Sequence, residues 1–227
     1  MAKITQFFLL IFFCLLLFSC QTEEKLKLGA ERTKVFLPLL DGKGVAVVGN
    51  QTSMIASTHL VDSLISLGVD IVKVFSPEHG FRGKADAGAK IDDGIDRKTG
   101  LPIVSLYGKN KKPTKEQLAW IDILLFDIQD VGARFYTYIS TLHYVMQAAA
   151  ENNIKVIVLD RPNPNGHYVD GPIREKGFES FVGMHPIPIV HGMTIGEYAQ
   201  MINGENWIAA KCDLTVIKME NYSREMQ

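Results

Sequence analysis

The sequence predicts an α/β fold built on a mostly parallel sheet, and three observations point to it. Short, unbroken apolar runs recur along the chain at Val45–Gly49, Ile71–Phe75, Ile103–Leu106, Ile123–Phe126 and Val156–Leu159. Strands covered on both faces read this way, without polar alternation. Between the runs lie stretches whose apolar residues recur at helical spacing, and strands alternating with helices imply parallel pairing through crossovers. Each run also ends in a polar cluster, and open α/β sheets place their ligand crevice at those carboxyl ends.

The elements follow in order. Val45–Gly49 is a short strand between glycines. Thr58–Leu67 reads as a helix with Leu60, Leu64 and Leu67 on one face and Gly68 as its stop. After the strand at Ile71 comes a long Gly- and Asp-rich loop over residues 76–101, a length usually reserved for function or disorder. Pro102 opens the third strand, and Thr114 with Gln117 forms a capping box that predicts a helix start. Ile123–Phe126 is a fully buried strand. Tyr136–Asn152 is the clearest helix, with Ile139, Leu142, Val145, Met146 and Ala149 facing the core. A Pro- and Gly-rich loop follows Asp160, Thr194 and Glu197 cap a further helix, and Leu214–Ile217 is the last strand.

The first residues read as an address. Lys3 precedes an apolar run, Phe7 to Phe18, that is too short for a comfortable membrane span and stops at Leu17-Phe18-Ser19-Cys20. This resembles the lipobox of bacterial lipoproteins, which makes residues 1–20 a signal, Cys20 the lipidated residue and residues 21–28 a polar tether. The expectation is an exported protein held on a membrane by its lipid, on the periplasmic or cell-surface side. Cys14 leaves with the signal and Cys212 stands alone, so no disulfide framework is implied. The net charge is −1, with both signs interspersed, which gives no stripe for nucleic acid. No Cys/His spacing suggests a zinc site, and the glycine fingerprint of dinucleotide binding is absent. No metal or cofactor is therefore called.

The strand ends supply the candidate chemistry. Asn50 follows the first strand. Ser76-Pro77-Glu78-His79-Gly80-Phe81-Arg82-Gly83 follows the second. Glu78, flanked by glycines that admit close backbone approach, is a candidate proton donor; the alternative is a carboxylate that caps its own turn or pairs with Arg82. Asp127 and Asp130 end a buried strand, next to Arg134, Tyr136 and Tyr138. Carboxylates beside aromatic rings furnish sugar sites, though the same aspartates also serve to organise a turn. Arg82 and Arg134 are candidates to take an anionic substituent bidentately. Asp160-Arg161-Pro162-Asn163-Pro164-Asn165-Gly166 offers Asp160, Arg161 and Asn163 in a rigid frame, either as ligand contacts or as a structural loop. His185 and His191 read as structural.

These three strings, in this order, resemble the NamZ-type exo-β-N-acetylmuramidases, from about Gly29 onward. The resemblance implies a Rossmann-like, doubly wound catalytic domain over 29–227 and, after it, a smaller auxiliary domain with the cleft between them. It implies release of N-acetylmuramic acid from the non-reducing ends of peptidoglycan fragments, with Glu78 in the place of the family's proposed catalytic glutamate. Family proteins are substantially longer than this chain, so a truncated auxiliary domain is expected. Residues Glu78, Asp127 and Asp130 are the catalytic candidates. Asn50, His79, Arg82, Arg134, Tyr136, Asp160, Arg161 and Asn163 are the substrate-binding ones. The rival reading is a surface lipoprotein that captures muropeptides without cleaving them.

Overall fold

The computed structural model describes residues 25–83 and 93–226. The signal, the lipidation residue Cys20 and the first half of the tether, residues 21–24, lie outside the described residues. Lys27 exchanges two backbone hydrogen bonds with Glu220, so the fold takes hold at the end of the tether.

The sheet carries the architecture. Its strands are β1 (Val45–Gly49), β4 (Ile71–Ser76), β5 (Gly94–Ile95), β6 (Pro102–Ser105), β7 (Ile123–Asp127), β8 (Lys155–Leu159) and β9 (Leu214–Ile217), in spatial order β5-β6-β4-β1-β7-β8-β9. All pair in parallel except β5, an antiparallel edge. Without that edge the order is 3-2-1-4-5-6, the doubly wound Rossmann arrangement. The central strands bury alternate side chains on opposite faces. Val45, Val47, Leu125 and Ile157 pack with Phe36 and Leu40 of α1 (Thr33–Leu40) and Leu60 and Leu64 of α2 (Leu60–Ser66). Ala46, Val48, Leu124, Phe126 and Val158 pack with Leu142, Val145 and Met146 of α3 (Tyr138–Glu151) and Tyr198 and Ile202 of α4 (Ile195–Gly204).

Three expectations are corrected. The helix predicted over Thr58–Leu67 begins only at Leu60, because Thr58–His59 (β3) pairs with Met54–Ile55 (β2) as a hairpin. His59 is tied to β1 through its Nε2, 2.9 Å from the Asn50 carbonyl, and its Nδ1 caps Val61 N–H. Leu67 falls beyond the helix end and is exposed. The Thr114–Gln117 capping box forms, with Gln117 N–H to Thr114 Oγ1 at 3.3 Å and Thr114 N–H to Gln117 Oε1 at 2.9 Å. Yet only turns follow it, since the chain must enter β7 at Ile123 and does so through Trp120 in the left-handed region at φ 67°. The helix predicted from Tyr136 starts at Tyr138, which leaves Tyr136 and Thr137 on the segment before it.

Candidate active site

In this strand order the direction of winding reverses between β1 and β7, and the crevice outside their carboxyl ends is where such sheets bind ligands. The two ends are stitched together. Asn50 Oδ1 accepts from Thr52 N–H at 2.9 Å and from the Thr52 hydroxyl at 2.6 Å, Thr52 Oγ1 accepts from Gln129 N–H at 2.9 Å, and the Ser53 hydroxyl donates to the Asp127 carbonyl. Asn50 is fully buried; its Nδ2 makes no well-formed hydrogen bond among the described residues and has the Tyr138 phenol beside it.

Glu78 sits next to this crevice, at the end of β4. Its turn is tight. Gly80 N–H reaches the Pro77 carbonyl at 3.2 Å, and His79 and Gly80 both lie in the left-handed region, at φ 71° and 78°. That conformation costs a non-glycine residue about 1–2 kcal/mol and gathers at functional sites. The Glu78 carboxylate accepts the Thr137 hydroxyl at 2.9 Å. The Tyr107 phenol lies beside it, and interaction with the carboxylate pushes the phenol's pKa up. Tyr138 is raised by burial first and by the nearby Glu78 charge second, with Asp130 adding to the effect. Glu78, Tyr107, Thr137, Tyr138, Asn50 and Asp130 therefore share one neighbourhood. Tyr107 and Thr137 were not singled out from the sequence.

The other carboxylates have different work. Asp127 is wholly buried and forms a two-pronged ion pair with Arg161, Nε to Oδ1 at 2.6 Å and Nη2 to Oδ2 at 2.9 Å. Burial pushes its pKa up and the guanidinium opposes the push. Arg161 also donates to the Met54 carbonyl at 3.1 Å, so the pair ties β7, β8 and the β2–β3 hairpin into a frame. Asp160 is likewise raised by burial, against hydrogen bonds from Gly196 N–H (2.8 Å), the Thr194 hydroxyl (3.0 Å) and Arg161 N–H (3.0 Å). Asn163 caps Asn165 N–H and donates to the Met193 carbonyl, packed onto Gly132. Asp130 differs. Its Oδ2 accepts from Gly132 N–H at 2.8 Å and lies 3.6 Å from His191 Nε2, while its buried Oδ1 has no hydrogen-bond partner among the described residues.

The cations are similarly sorted. Arg82 grips Asp96 with two bonds (2.8 and 2.6 Å) and Asp62 with two more (3.1 and 3.3 Å), which holds its charge firmly on and drives the Asp96 carboxyl well below the usual range. The Arg134 guanidinium donates to the carbonyls of Pro172 (2.8 Å) and Ile187 (2.5 Å). Phe135 and Tyr136 stand exposed side by side, ring centres 5.8 Å apart. His185 joins a buried network apart from Glu78, with Nδ1 2.7 Å from the Tyr198 hydroxyl, Nε2 2.9 Å from His143 Nδ1, and its ring stacked on Trp207. Among the described residues no cluster of His, Cys, Asp and Glu is placed to hold a metal ion, and no helix is long and apolar enough to cross a membrane.

Comparison with known proteins bears on the family and the fold. The family described as "Exo-beta-N-acetylmuramidase NamZ, N-terminal" matches residues 45–227. The chain is 51% identical over 192 residues to the peptidoglycan beta-N-acetylmuramidase NamZ of Bacillus subtilis (strain 168), an alignment covering 82% of this chain and 45% of that protein. The crystal structure of a DUF1343 family protein from Bacteroides fragilis NCTC 9343 superposes with a TM-score of 0.81 at 48% identity, over 89% of this chain and 54% of the other. A second DUF1343 family protein from that organism gives 0.82 at 43%, over 88% and 52%. The chain thus spans about half the length of the relatives it matches.

Proposed function

This chain belongs to the NamZ exo-β-N-acetylmuramidase family, to its N-terminal part, and from that premise we propose that it is the catalytic portion of an exo-acting glycoside hydrolase. The substrate is a peptidoglycan fragment, and the product is N-acetylmuramic acid released from its non-reducing end. One observation carries the reading: Glu78 lies at the carboxyl end of β4, beside the switch point, in a strained turn whose carboxylate meets a threonine hydroxyl and a tyrosine phenol.

Glu78 is the general acid. Its proton passes to the glycosidic oxygen as the bond from that oxygen to C1 breaks, and a water supplies the hydroxyl that ends on C1 while the water's other proton goes to a carboxylate of the site. Asp130 is the better candidate for a second carboxylate, because one of its oxygens is unspent; Asp127 is committed to Arg161. The substrate's own acetamido group is the alternative partner, as in substrate-assisted enzymes. Phe135 and Tyr136, exposed next to Thr137, offer rings to an apolar sugar face. Arg134 remains the candidate reader of the lactyl carboxylate, since its guanidinium donates to neutral carbonyls and forms no ion pair among the described residues. Arg82 already faces two carboxylates. The apolar run ending at Cys20 supports an exported, lipid-anchored protein.

The test is turnover of a chromogenic β-glycoside of N-acetylmuramic acid by the parent chain and by Glu78→Gln. Release by the parent and its loss in the variant support the reading. Tight binding of the sugar with no release by the parent would favour the muropeptide-binding alternative.

A further inference from the structure

We infer that Thr137 and Tyr107 are positioning residues for Glu78, the Thr137 hydroxyl bonded to the carboxyl from one flank and the Tyr107 phenol brought beside it from the other by strand register. The inference rests on the reading of Glu78 as the proton donor.

Tyr107 reaches Glu78 through strand register. β4 and β6 run parallel and adjacent, with Ser76 opposite Ser105. Glu78 and Tyr107 each follow that pair by two residues, so parallel pairing delivers both side chains to the same place on the carboxyl edge. Thr137 arrives from the other flank, on the loop that leaves β7. It occupies the residue before the first turn of α3, where a threonine hydroxyl ordinarily accepts a backbone N–H of that turn. Here it makes no such bond. Its backbone is helical (φ −78°, ψ −12°) instead of extended, and the nearly buried hydroxyl donates to Glu78 Oε2 at 2.9 Å.

The same chain holds a control. Thr194, in the equivalent place before α4, is extended (φ −70°, ψ 165°), and its hydroxyl accepts Glu197 N–H in a complete capping box. One threonine caps its helix, while the other leaves α3 uncapped and turns to a carboxylate. Local rules broken in this way mark functional positions.

Hydroxyls also suit the task chemically. A hydroxyl donates to the carboxylate after proton transfer and accepts from the carboxylic acid before it, with a rotation about one bond. Such a hydroxyl can follow Glu78 through the loss and return of its proton without the carbon frame moving. The two hydroxyls fix the plane of the carboxyl, and His79 and Gly80 fix the backbone beneath it.

The experiment measures kcat and KM on the chromogenic muramic-acid glycoside for Thr137→Val, Thr137→Ser, Thr137→Asp, Tyr107→Phe and Glu78→Gln. Thr137→Val and Tyr107→Phe should each lose about ten- to a hundred-fold in kcat, the range for a hydrogen bond to a charged group, with KM little changed. Thr137→Ser should recover the rate. Thr137→Asp, a better helix cap that repels Glu78, should not. Recovery by Asp would assign the hydroxyl to helix capping and overturn the inference. Parent rates in Val and Phe beside a silent Glu78→Gln would overturn it while leaving Glu78 as the acid. Parent turnover in Glu78→Gln would remove the acid reading and the inference together. A readout free of substrate is the ionisation of the Tyr107 phenol, taken as the ultraviolet difference between chains with and without Tyr107→Phe. It should move to lower pH in Glu78→Gln, and no movement would mean that the two groups are not coupled.

Discussion

Removing Arg161 should unfold this protein before it starves it of substrate. Asp127 is fully buried and spends both oxygens on Arg161 at 2.6 and 2.9 Å. Arg161→Met leaves that carboxylate with no counter-charge, and breaking a buried pair from one side costs about 3–5 kcal/mol. The loss of the bond to the Met54 carbonyl adds to this. The deficit should depend on pH, and the sign follows from Asp127. Burial raises its pKa and Arg161 opposes the rise, so in the variant the folded pKa climbs further above the unfolded value. A folded pKa above the unfolded one destabilises the folded state as pH rises between the two values. The gap to the parent should be smallest near pH 4 and reach its full size at neutral pH. Replacing both partners, Arg161→Met with Asp127→Leu, should recover most of the loss, because no buried charge remains. Urea denaturation followed by circular dichroism at two pH values reads all three chains. A single variant within about 1 kcal/mol of the parent at neutral pH, with weakened sugar binding, would return Arg161 to the ligand contacts and sink the argument.

Three further outcomes are expected. Glu78→Gln should lower kcat by about 10²–10⁴-fold while the melting temperature stays near the parent's, and near-normal turnover would take Glu78 out of the mechanism. His143 and His185 are held down to about 4 and about 3 chiefly by burial, with each other, Lys112 and Arg174 nearby. The unfolded chain takes up these protons from about pH 6.5, so stability is fully present above that pH and falls on acidification, by up to about 1.4 kcal/mol per histidine and pH unit; imidazole NMR signals that titrate near pH 6 in the folded protein would refute this. Cys20→Ser should release the exported protein from the membrane fraction, as loss of its acyl chains removes the anchor, and unchanged membrane retention would end the lipoprotein reading.

The sheet was legible because its strands are covered on both faces, and such strands cannot hide a polar residue without a partner. The α4 start was legible because Thr194 and Glu197 satisfy each other within four residues. What escaped depends on contacts distant in sequence. The capping box at Thr114 was read correctly and still led to no helix, since the position of β7 decides where that chain must go. The β2–β3 hairpin is set by His59 reaching back to β1. Thr137 meets Glu78 across 59 positions, and nothing local to either residue announces it.

The same distinction sorts the motif residues. In the sequence, Glu78, Asp127, Asp130 and Asp160 are four carboxylates at three strand ends. The structure separates them by what each has left to offer. Asp127 is neutralised by a guanidinium and Asp160 by three donors, so a substrate would have to displace existing bonds to use either. Asp130 keeps one buried oxygen unspent. The Glu78 carboxylate accepts the freely rotating Thr137 hydroxyl, which can follow it between its charged and protonated forms. Proton transfer needs a group whose environment tolerates both charge states, and on that ground we propose that the chemistry belongs to Glu78, while Asp127 and Asp160, bound into the frame, hold the strand ends in place around it.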